Sequence, residues 1–297
     1  MRPAYLAAGL TLLLGASSGP VSPTIFETAH GPVRLAEARP GELARGAQWR
    51  AGRGGLEWTE LGMHGRGEIR RTRIVVARLD PSRFTIALEN GMAPGGYLHV
   101  WTLDRAPKAA SLALNAGMFA GDGAWGWVVH AGTEYRAPRR GPLARAITVD
   151  SAGRIALRDD AGVAALQATE GLGGVREAFQ SYPALLDDGA LPAVLETGSP
   201  DIDIEHRDAR LALGVDAEGR LLVALTRFDA LGPTLGSVPF GLTVPELARV
   251  MRGLGAVDAV ALDGGISAQL LIRGDSGEAH RWEGFRPVPL GLSATPR

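Results

Sequence analysis

The sequence predicts an α+β domain, built on a mixed, largely antiparallel β-sheet core with a few packed helices. Three observations lead to this prediction. Most β-prone runs come in pairs joined by a short turn, as hairpins do. Only one segment, residues 243–255, carries a well-formed apolar helical stripe. Strands and helices also do not alternate regularly along the chain, as they would in a doubly wound parallel sheet.

The composition is that of a globular protein, and it excludes several classes of function. The 297 residues are 45% hydrophobic and 21% charged, enough for a large domain with a sizeable core. The 31 basic and 32 acidic residues leave a net charge of −1, so neither nucleic acid nor an anionic membrane surface is favoured as a partner. The absence of cysteine excludes disulfides, thiolate nucleophiles and cysteine-ligated zinc.

The first residues follow the order of a secretory signal. Arg2 supplies a positive charge, residues 4–14 form an apolar run too short to span a bilayer, and small residues follow at 15–18. We therefore expect residues 1–20 to be a signal peptide. The protein would be exported to the periplasm or the extracellular space, with no membrane insertion after signal removal. A frayed N-terminal helix of a cytosolic protein is the alternative.

The next segment, residues 21–55, is rich in Pro, Gly, Ala and Arg and has only weak periodicity. Such a composition is typical of a chain that buries little apolar surface. We expect a poorly ordered lead-in with a short helix around Leu43, followed by one domain over residues 56–297.

Strand signals begin with the runs 73–79 and 84–90, which flank a turn that contains Pro81. Three hairpins are predicted after them: "WGWVVHAGTEYR", "AITVDSAGRIAL" and "RLALGVDAEGRLLVALTRF". In the last hairpin Arg210, Ala212 and Gly214 share one face of the first strand. Two small residues and an arginine suit the wall of a cleft better than a core.

The strongest helical signal begins at Thr243. This residue and Glu246, three positions later, form a capping box. The apolar stripe that follows consists of Leu247, Val250, Met251 and Leu254. A buried strand, "AVDAVAL", comes next, so Asp263 is expected at the C-terminal end of that strand.

Three polar residues at strand ends are candidate site residues, and each has a structural alternative. Asp263 is costly to bury unless it is paired or used, and Gly264 and Gly265 allow close backbone approach; a hairpin turn would explain the same residues. Asn115 offers a donor and an acceptor to a substrate oxygen, or it closes an Asx turn. Arg210 presents a fork that fits a phosphate, or it lies on the surface at a strand start.

Signatures of metal and cofactor sites are missing from the sequence. The six histidines are scattered, without His-x-x-x-His or Glu-x-x-His spacing. There is no P-loop, dinucleotide fingerprint or Gly-x-Ser-x-Gly elbow. We therefore expect no cofactor and no metal ligands.

Four segments between Arg73 and Leu292 together resemble the phosphodiester glycosidase family. In order they are "ALNAGMF", "FQSYPALLDDGALP", "RLALGVDAEGRLLVAL" and "GLTVPELARVMRGLGAVDAVALDGGISAQLLI". The last is the most specific, because cap, helix, Leu-Gly-Ala and Asp-Gly-Gly all fall in register. The sequence departs from the family pattern at Ile266, where many members have Gly-Ser-Ser, and at Tyr182, where Gly is common.

The resemblance implies hydrolysis of a sugar-1-phosphodiester, such as a GlcNAc-1-phosphodiester, at the glycosidic bond, in envelope or extracellular glycan metabolism. It implies catalytic roles for Asp263 as base, nucleophile or electrostatic stabiliser, for Arg210 as phosphate ligand and for Asn115 in positioning substrate. The residues it implies in substrate binding are Gly117, Gln180, Arg207, Gly264, Gly265 and Ser267. Asp122 and Glu134 are both candidates for a second carboxylate.

Two other functions fit the same residues. One is a non-catalytic glycan-binding envelope protein on the same fold, which the departure at Ile266 suggests. The other is a metal-assisted phosphodiesterase that attacks phosphorus, which the carboxylates of Asp201, Asp203, Glu205 and Asp263 suggest.

Overall fold

The computed structural model describes residues 24–64, 72–90, 92–93, 96–97, 101–121, 123–198, 203–228 and 241–297. The signal peptide expected at residues 1–20 lies outside these residues, as do Asp122 and Asp201.

The described part of the chain is mostly β-structure. Its strands, in chain order, are β1 (Ile25–Thr28), β2 (Gly31–Arg34), β3 (Arg50–Ala51), β4 (Glu57–His64), β5 (Thr72–Leu79), β6 (Phe84–Asn90), β7 (Met92–Ala93), β8 (Gly96–Tyr97), β9 (Leu112–Asn115), β10 (Phe119–Ala120), β11 (Gly123–Ala124), β12 (Val128–His130), β13 (Thr133–Arg136), β14 (Arg145–Asp150), β15 (Ile155–Arg158), β16 (Val175–Ser181), β17 (Ala184–Leu186), β18 (Leu211–Asp216), β19 (Leu221–Phe228), β20 (Ala256–Leu262), β21 (Leu270–Arg273), β22 (Ala279–Trp282) and β23 (Leu290–Pro296). The α-helices are α1 (Glu42–Arg45), α2 (Asp160–Gln167), α3 (Val194–Thr197) and α4 (Val244–Gly253). No helix among these is both long and apolar enough to cross a membrane.

Three main sheets organise these strands. The large sheet has the order β17-β20-β18-β19-β5-β4-β1-β2, with β3 beside β4. The second sheet is β22-β21-β9-β23-β6, and the third sheet is β13-β12-β16-β14-β15. All pairings between the described strands of these sheets are antiparallel. The α+β prediction therefore holds in a coarse sense: the helical content is small, and the expected mixed sheet is antiparallel throughout these strands.

The predicted hairpins form where local turn signals indicated them. They are the pairs β12–β13, β14–β15 and β18–β19. The Asp-Gly-Gly segment is different, because β20 belongs to the large sheet while β21 belongs to the second sheet. The hairpin alternative for Asp263 is therefore wrong: the segment 263–269 is a crossover loop between two sheets.

One hydrophobic core lies between the inner faces of all three sheets. It includes Val223 from the large sheet, Leu114 from the second and Phe179 from the third, each at most 1% exposed. Each buried side chain of this kind contributes about 1.5–3 kcal/mol relative to an exposed one. The crossover loop lies where the large and second sheets meet beside this core.

The outer face of the large sheet is covered by α4. Ala212 packs in the same cluster as the helix residues, and a methyl group on Gly214 would lie 2.9 Å from the Met251 Cε. The small residues of β18 therefore let the helix approach the sheet closely. The prediction that this face forms a cleft wall is wrong, and Arg210 stands on the helix side of the sheet at the strand start.

The segment 24–55 packs on the same outer face. Phe26 of β1, Leu35 of the 3-10 turn Leu35–Glu37 and Leu43 of α1 are each at most 2% exposed and join the cluster around α4. The structure differs here from the poorly ordered lead-in expected over residues 21–55, while α1 forms where the short helix was expected. The periodicity was weak because each element is only four residues or fewer.

Candidate active site

The crossover loop is fixed at both ends by one buried amide. Asn115, the last residue of β9, is fully buried. Its Nδ2 donates to the carbonyl of Asp263 at 2.9 Å, and its Oδ1 accepts from the backbone N–H of Gln269 at 3.0 Å. Asn115 thus holds the loop that carries Asp263, in place of the Asx turn that was the alternative for it.

The carboxylate of Asp263 lies near the surface of this loop, with its side chain 23% exposed. Its backbone N–H donates to the carbonyl of Gly117 at 2.9 Å. Within the described part of the chain, its buried Oδ2 has no hydrogen-bond partner. The Nη2 of Arg286 is 4.0 Å from that oxygen, too far for a hydrogen bond but close enough for charge attraction. The carboxylate therefore keeps one oxygen uncommitted.

Ser267 connects this carboxylate to Arg286. The Ser267 hydroxyl accepts from the Arg286 Nε at 3.1 Å, and its interaction with the Asp263 carboxyl group lowers the pKa of that group. Ser267 is buried, whereas half of the Arg286 side chain is exposed. The guanidinium is thereby oriented through Nε, and its Nη1 and Nη2 make no hydrogen bond to the described residues.

The pKa of Asp263 is raised, and burial is the main cause. The neighbouring Asp208 carboxylate raises this pKa further, whereas the Ser267 hydrogen bond and the charge of Arg286 lower it. The raised pKa lies closer to neutral pH than that of an ordinary aspartate, and a pKa near the working pH favours proton transfer by an active-site group.

Arg210 stands directly across from Asp263 on the neighbouring strand. The β18–β20 ladder pairs Leu211 with Leu262, so the next residues outward face each other. The Arg210 guanidinium, however, donates through Nε to the carbonyl of Leu242 at 2.9 Å and through Nη2 to the carbonyl of His206. Burial lowers the pKa of Arg210. The backbone of Arg210 therefore lies beside the Asp263 loop. Its Nε and Nη2 are hydrogen-bonded to Leu242 and His206 and do not contact Asp263.

The two glycines after Asp263 allow the loop to touch the segment that precedes β18. A Cβ on Gly264 would lie 2.3 Å from the carbonyl oxygen of Ala209, a contact that real Cβ atoms do not make. Gly265 has φ +54°, and its Cβ would lie 2.9 Å from the Asp208 Oδ2. The glycines thus serve close approach, and they bring a second carboxylate, Asp208, beside the loop.

Gly264→Ala is expected to lower kcat by roughly tenfold or more and to destabilise the protein by about 1–3 kcal/mol, because the loop must move away from Ala209. Gly62→Ala is the matched control, since a Cβ there meets nothing within 4 Å. Urea denaturation and steady-state kinetics of both variants measure the effects. Equal behaviour of the two variants would contradict this role of Gly264.

Arg227 joins the two loops that form the site. It is 3% exposed, and its Nη2 donates to the carbonyls of Ala268 at 2.7 Å, Trp282 at 3.3 Å and Glu283 at 3.4 Å. Burial lowers the pKa of Arg227 to about 10. Its Nη1 has no hydrogen-bond partner among the described residues. One guanidinium therefore fixes the loop of Ser267 against the loop of Arg286.

Sequence reasoning did not find Asp208, Arg227 or Arg286. A signal existed for Arg227, which breaks the apolar face that Val223 and Leu225 form on β19. No periodic signal pointed to Arg286, which stands in an irregular segment between β22 and β23. Asp208 stands in the run "DIDIEHRDAR", and such a dense charge run is typical of a solvated loop.

Arg207, predicted to bind substrate, is committed elsewhere. Its Nη1 and Nη2 donate to the two carboxylate oxygens of Glu246 at 2.6 and 2.9 Å, and Nη1 also donates to the carbonyl of Gly241 at 3.1 Å. Glu246 is the capping-box residue of α4. This bidentate pair fixes the start of the helix.

Arg207→Ala is expected to lower the free energy of unfolding by about 1–3 kcal/mol while changing KM by less than about twofold, because a partly buried carboxylate, Glu246, loses its partner and no contact to Asp263 or Arg286 is removed. Arg249→Ala, on the same helix, is the control. Thermal melts and kinetics separate the two effects, and a large rise in KM at unchanged stability would show that Arg207 binds substrate after all.

Gln180 and Glu134 also have partners away from Asp263. The Gln180 amide accepts from the N–H groups of Trp127 and Arg139 and donates to the carbonyl of Arg139, each at 2.8 Å. Glu134 accepts from the Trp127 Nε1 at 2.6 Å and from the Gln167 Nε2 at 3.0 Å. Gln180 therefore joins the segments of Trp127 and Arg139. Asp208 is the described carboxylate whose charge raises the pKa of Asp263.

Aromatic and apolar side chains border the loop. The rings of Trp125 and Tyr182 have centroids 4.6 Å apart at an interplanar angle of 55°, and both are partly exposed. The backbone N–H of Trp125 donates to the carbonyl of Met118 at 2.7 Å, next to Gly117. This pair lies beside the segment that accepts the Asp263 N–H.

The described residues contain no group of three or more His, Asp or Glu side chains placed to hold a metal ion. Asp203, one of the carboxylates of the phosphodiesterase alternative, accepts instead from the backbone N–H of His206 at 3.0 Å.

Comparison with known proteins gives one family match for this chain. A family model described as phosphodiester glycosidase matches residues 108–294 of this chain. A search of curated proteins gave no match. The catalytic domain of zebrafish N-acetylglucosamine-1-phosphodiester alpha-N-acetylglucosaminidase, auto-inhibited by its pro-peptide, is similar in structure: TM-score 0.59, 14% identity, covering 94% of this chain and 96% of that one. A hypothetical protein from Synechocystis gives a TM-score of 0.47 at 14% identity, covering 82% of this chain and 62% of that one.

Proposed function

This chain belongs to the phosphodiester glycosidase family, and from that premise we propose that it hydrolyses a sugar-1-phosphodiester at the glycosidic bond. The observation that supports this most is the connected set Asp263, Ser267 and Arg286. It offers a carboxylate with one uncommitted oxygen beside a half-exposed guanidinium, and a buried hydroxyl links the two. Asp263 is negatively charged and Arg286 is positively charged. The pair suits a substrate in which positive charge develops on the sugar next to a negatively charged phosphate.

Arg286 would bind the phosphate. Its Nε is used by Ser267, so the outer N–H groups are left to donate to phosphoryl oxygens. A phosphomonoester is a weak base, and its departure therefore needs less protonation than the departure of an alcohol. Charge pairing with Arg286 stabilises the negative charge that the oxygen gains as the bond from the anomeric carbon breaks.

Asp263 would face the anomeric carbon. As that bond breaks, the sugar gains oxocarbenium character, and the partly exposed carboxylate stabilises it, attacks it, or takes a proton from an attacking water. Asp208 is the second carboxylate in this proposal. Its negative charge raises the pKa of Asp263 and so strengthens Asp263 as a base. Asn115 and Arg227 would hold the reacting groups in place without touching substrate.

The first substrate to test is an N-acetylglucosamine-1-phosphodiester, since the zebrafish relative is named for it. The Trp125–Tyr182 pair offers a partly exposed aromatic surface for the sugar ring. The signal-like N-terminus supports export, and we propose that the protein acts on envelope or extracellular glycans.

The deciding experiment is incubation of the purified protein with the methyl ester of GlcNAc-1-phosphate in oxygen-18 water. Glycosidic cleavage gives GlcNAc that carries the label and unlabelled methyl phosphate. Label in the phosphate would mean attack on phosphorus, as the metal-assisted alternative requires. Saturable binding without any product would favour a glycan-binding protein. Absence of turnover on a panel of sugar-1-phosphodiesters would overturn the proposal.

A further inference from the structure

Two large apolar side chains are exposed beside the proposed phosphate site. Ile266 is 47% exposed and Phe285 is 62% exposed. Only one other large hydrophobic residue in the described part of the chain is exposed, Tyr135 on β13, in the third sheet. Single exposed apolar residues are common on protein surfaces, but two that adjoin each other and a polar site are not.

The two residues are held side by side. The Phe285 N–H donates to the Ile266 carbonyl at 2.7 Å. A Cβ on Gly284 would lie 3.0 Å from the Ser267 carbonyl oxygen, so the two loops touch closely at this point. Arg227 ties the same two loops from below through Ala268 and Glu283. The apolar pair is therefore presented on a fixed backbone.

Each member of the pair adjoins a residue of the connected set. Ile266 immediately precedes Ser267, and Phe285 immediately precedes Arg286. A phosphodiester bound at Arg286 has the sugar on one ester oxygen, toward Asp263, and the aglycone on the other. The bound aglycone therefore extends from the phosphate over the residues that border Arg286 and Ser267.

We infer that the aglycone of the natural substrate is an apolar alcohol, of the alkyl or lipid class, that packs on Ile266 and Phe285. This inference rests on the proposed function, because it names the second half of the same substrate. An apolar chain would remove from water the surface that these side chains now expose, and that burial favours binding.

The test compares the methyl and octyl esters of GlcNAc-1-phosphate, below the micelle concentration. The wild-type kcat/KM is expected to be roughly tenfold or more higher for the octyl ester, since even single methylenes are discriminated by an apolar surface. In Ile266→Ser and Phe285→Ser the octyl-to-methyl ratio falls toward one, whereas Tyr135→Ser, the matched exposed control, keeps the wild-type ratio. A wild-type ratio near one, or a ratio that the two site variants leave unchanged, overturns the inference while the proposed function stands.

A binding measurement separates the two proposals if neither ester is hydrolysed. Calorimetric titration of Asp263→Asn with octyl phosphate and methyl phosphate is expected to give at least about tenfold tighter binding of octyl phosphate, lost in the double variants with Ile266→Ser or Phe285→Ser. Equal affinities overturn the inference. Sedimentation of the same variants identifies the other occupant: if Ile266→Ser abolishes self-association without altering the affinity ratio, the pair covers a second copy of the chain and the inference fails.

Discussion

The Asp263→Asn variant is expected to lose hydrolysis by a factor of about 10³ or more, yet to melt at pH 7 no lower than the wild-type protein. The loss of rate follows from the proposed role, since a positioned carboxylate that transfers a proton or stabilises charge typically contributes 10²–10⁴-fold. The amide fills the same space but has no negative charge and cannot act as base or nucleophile.

The effect on stability follows from the sign of the pKa shift. The pKa of Asp263 is raised in the folded protein, so this group favours folding below its unfolded pKa and loses that contribution as pH rises through the folded pKa. At pH 7 the ionised carboxylate therefore opposes folding. Asparagine removes the charge. The stability of the variant should therefore depend less on pH between the pKa values that Asp263 has in the unfolded and in the folded protein.

Kinetics on the methyl ester and thermal melts from pH 4 to pH 8 check both halves of this expectation. Asp275→Asn, an exposed carboxylate in the turn before β22, is the control and should change neither quantity. Full activity of Asp263→Asn would remove Asp263 from the mechanism. A clear fall in its melting temperature would mean that the carboxylate is stabilised in the folded state.

Arg286→Gln and Asp208→Asn are expected to shift the pH dependence of kcat/KM in opposite directions. The charge of Arg286 lowers the pKa of Asp263, so its removal moves the limb that Asp263 controls to higher pH. Asp208 raises the same pKa, and its removal moves that limb to lower pH. Arg286→Gln should also lower kcat/KM by about 10²–10³-fold at the optimum, because the phosphate loses its cationic partner.

Full pH–rate profiles of the two variants and the wild type measure these shifts. The direction is the same whether Asp263 acts as a base or as an acid, and the limb that moves reports its role: the acid limb for a base or nucleophile, the alkaline limb for an acid. Shifts of the same sign in both variants, or no shift in either, would show that Asp263 does not control the profile.

Local features of the fold could be predicted from the sequence, whereas the site could be predicted only in part. The hairpin β18–β19 and the cap of α4 depend on neighbouring residues, and both form as expected. Asp263 at a strand end was likewise visible. Arg286 was not, because the contact to Ser267 joins residues from two loops that only the tertiary structure brings together.

Long-range packing also reversed two interpretations. The small residue Gly214 indicated a cleft, but α4 fills the space in front of it. The pattern of a strand does not show which layer of the fold covers each of its faces. Arg207 fitted a phosphate as well as Arg286 does on chemical grounds alone. Its actual partner, Glu246, was recognised only as a capping residue, and a capping carboxylate has a second oxygen free for an arginine.

The crossover loop also makes catalysis sensitive to the alignment of two sheets. Asp263 extends directly from the large sheet, whereas Asn115, which holds it, ends a strand of the second sheet. Any sliding of one layer over the other would displace the carboxylate relative to its support. Turnover would then report on interlayer slippage well before the molecule unfolds, and core substitutions far from the loop could be ranked by how much they slow the reaction.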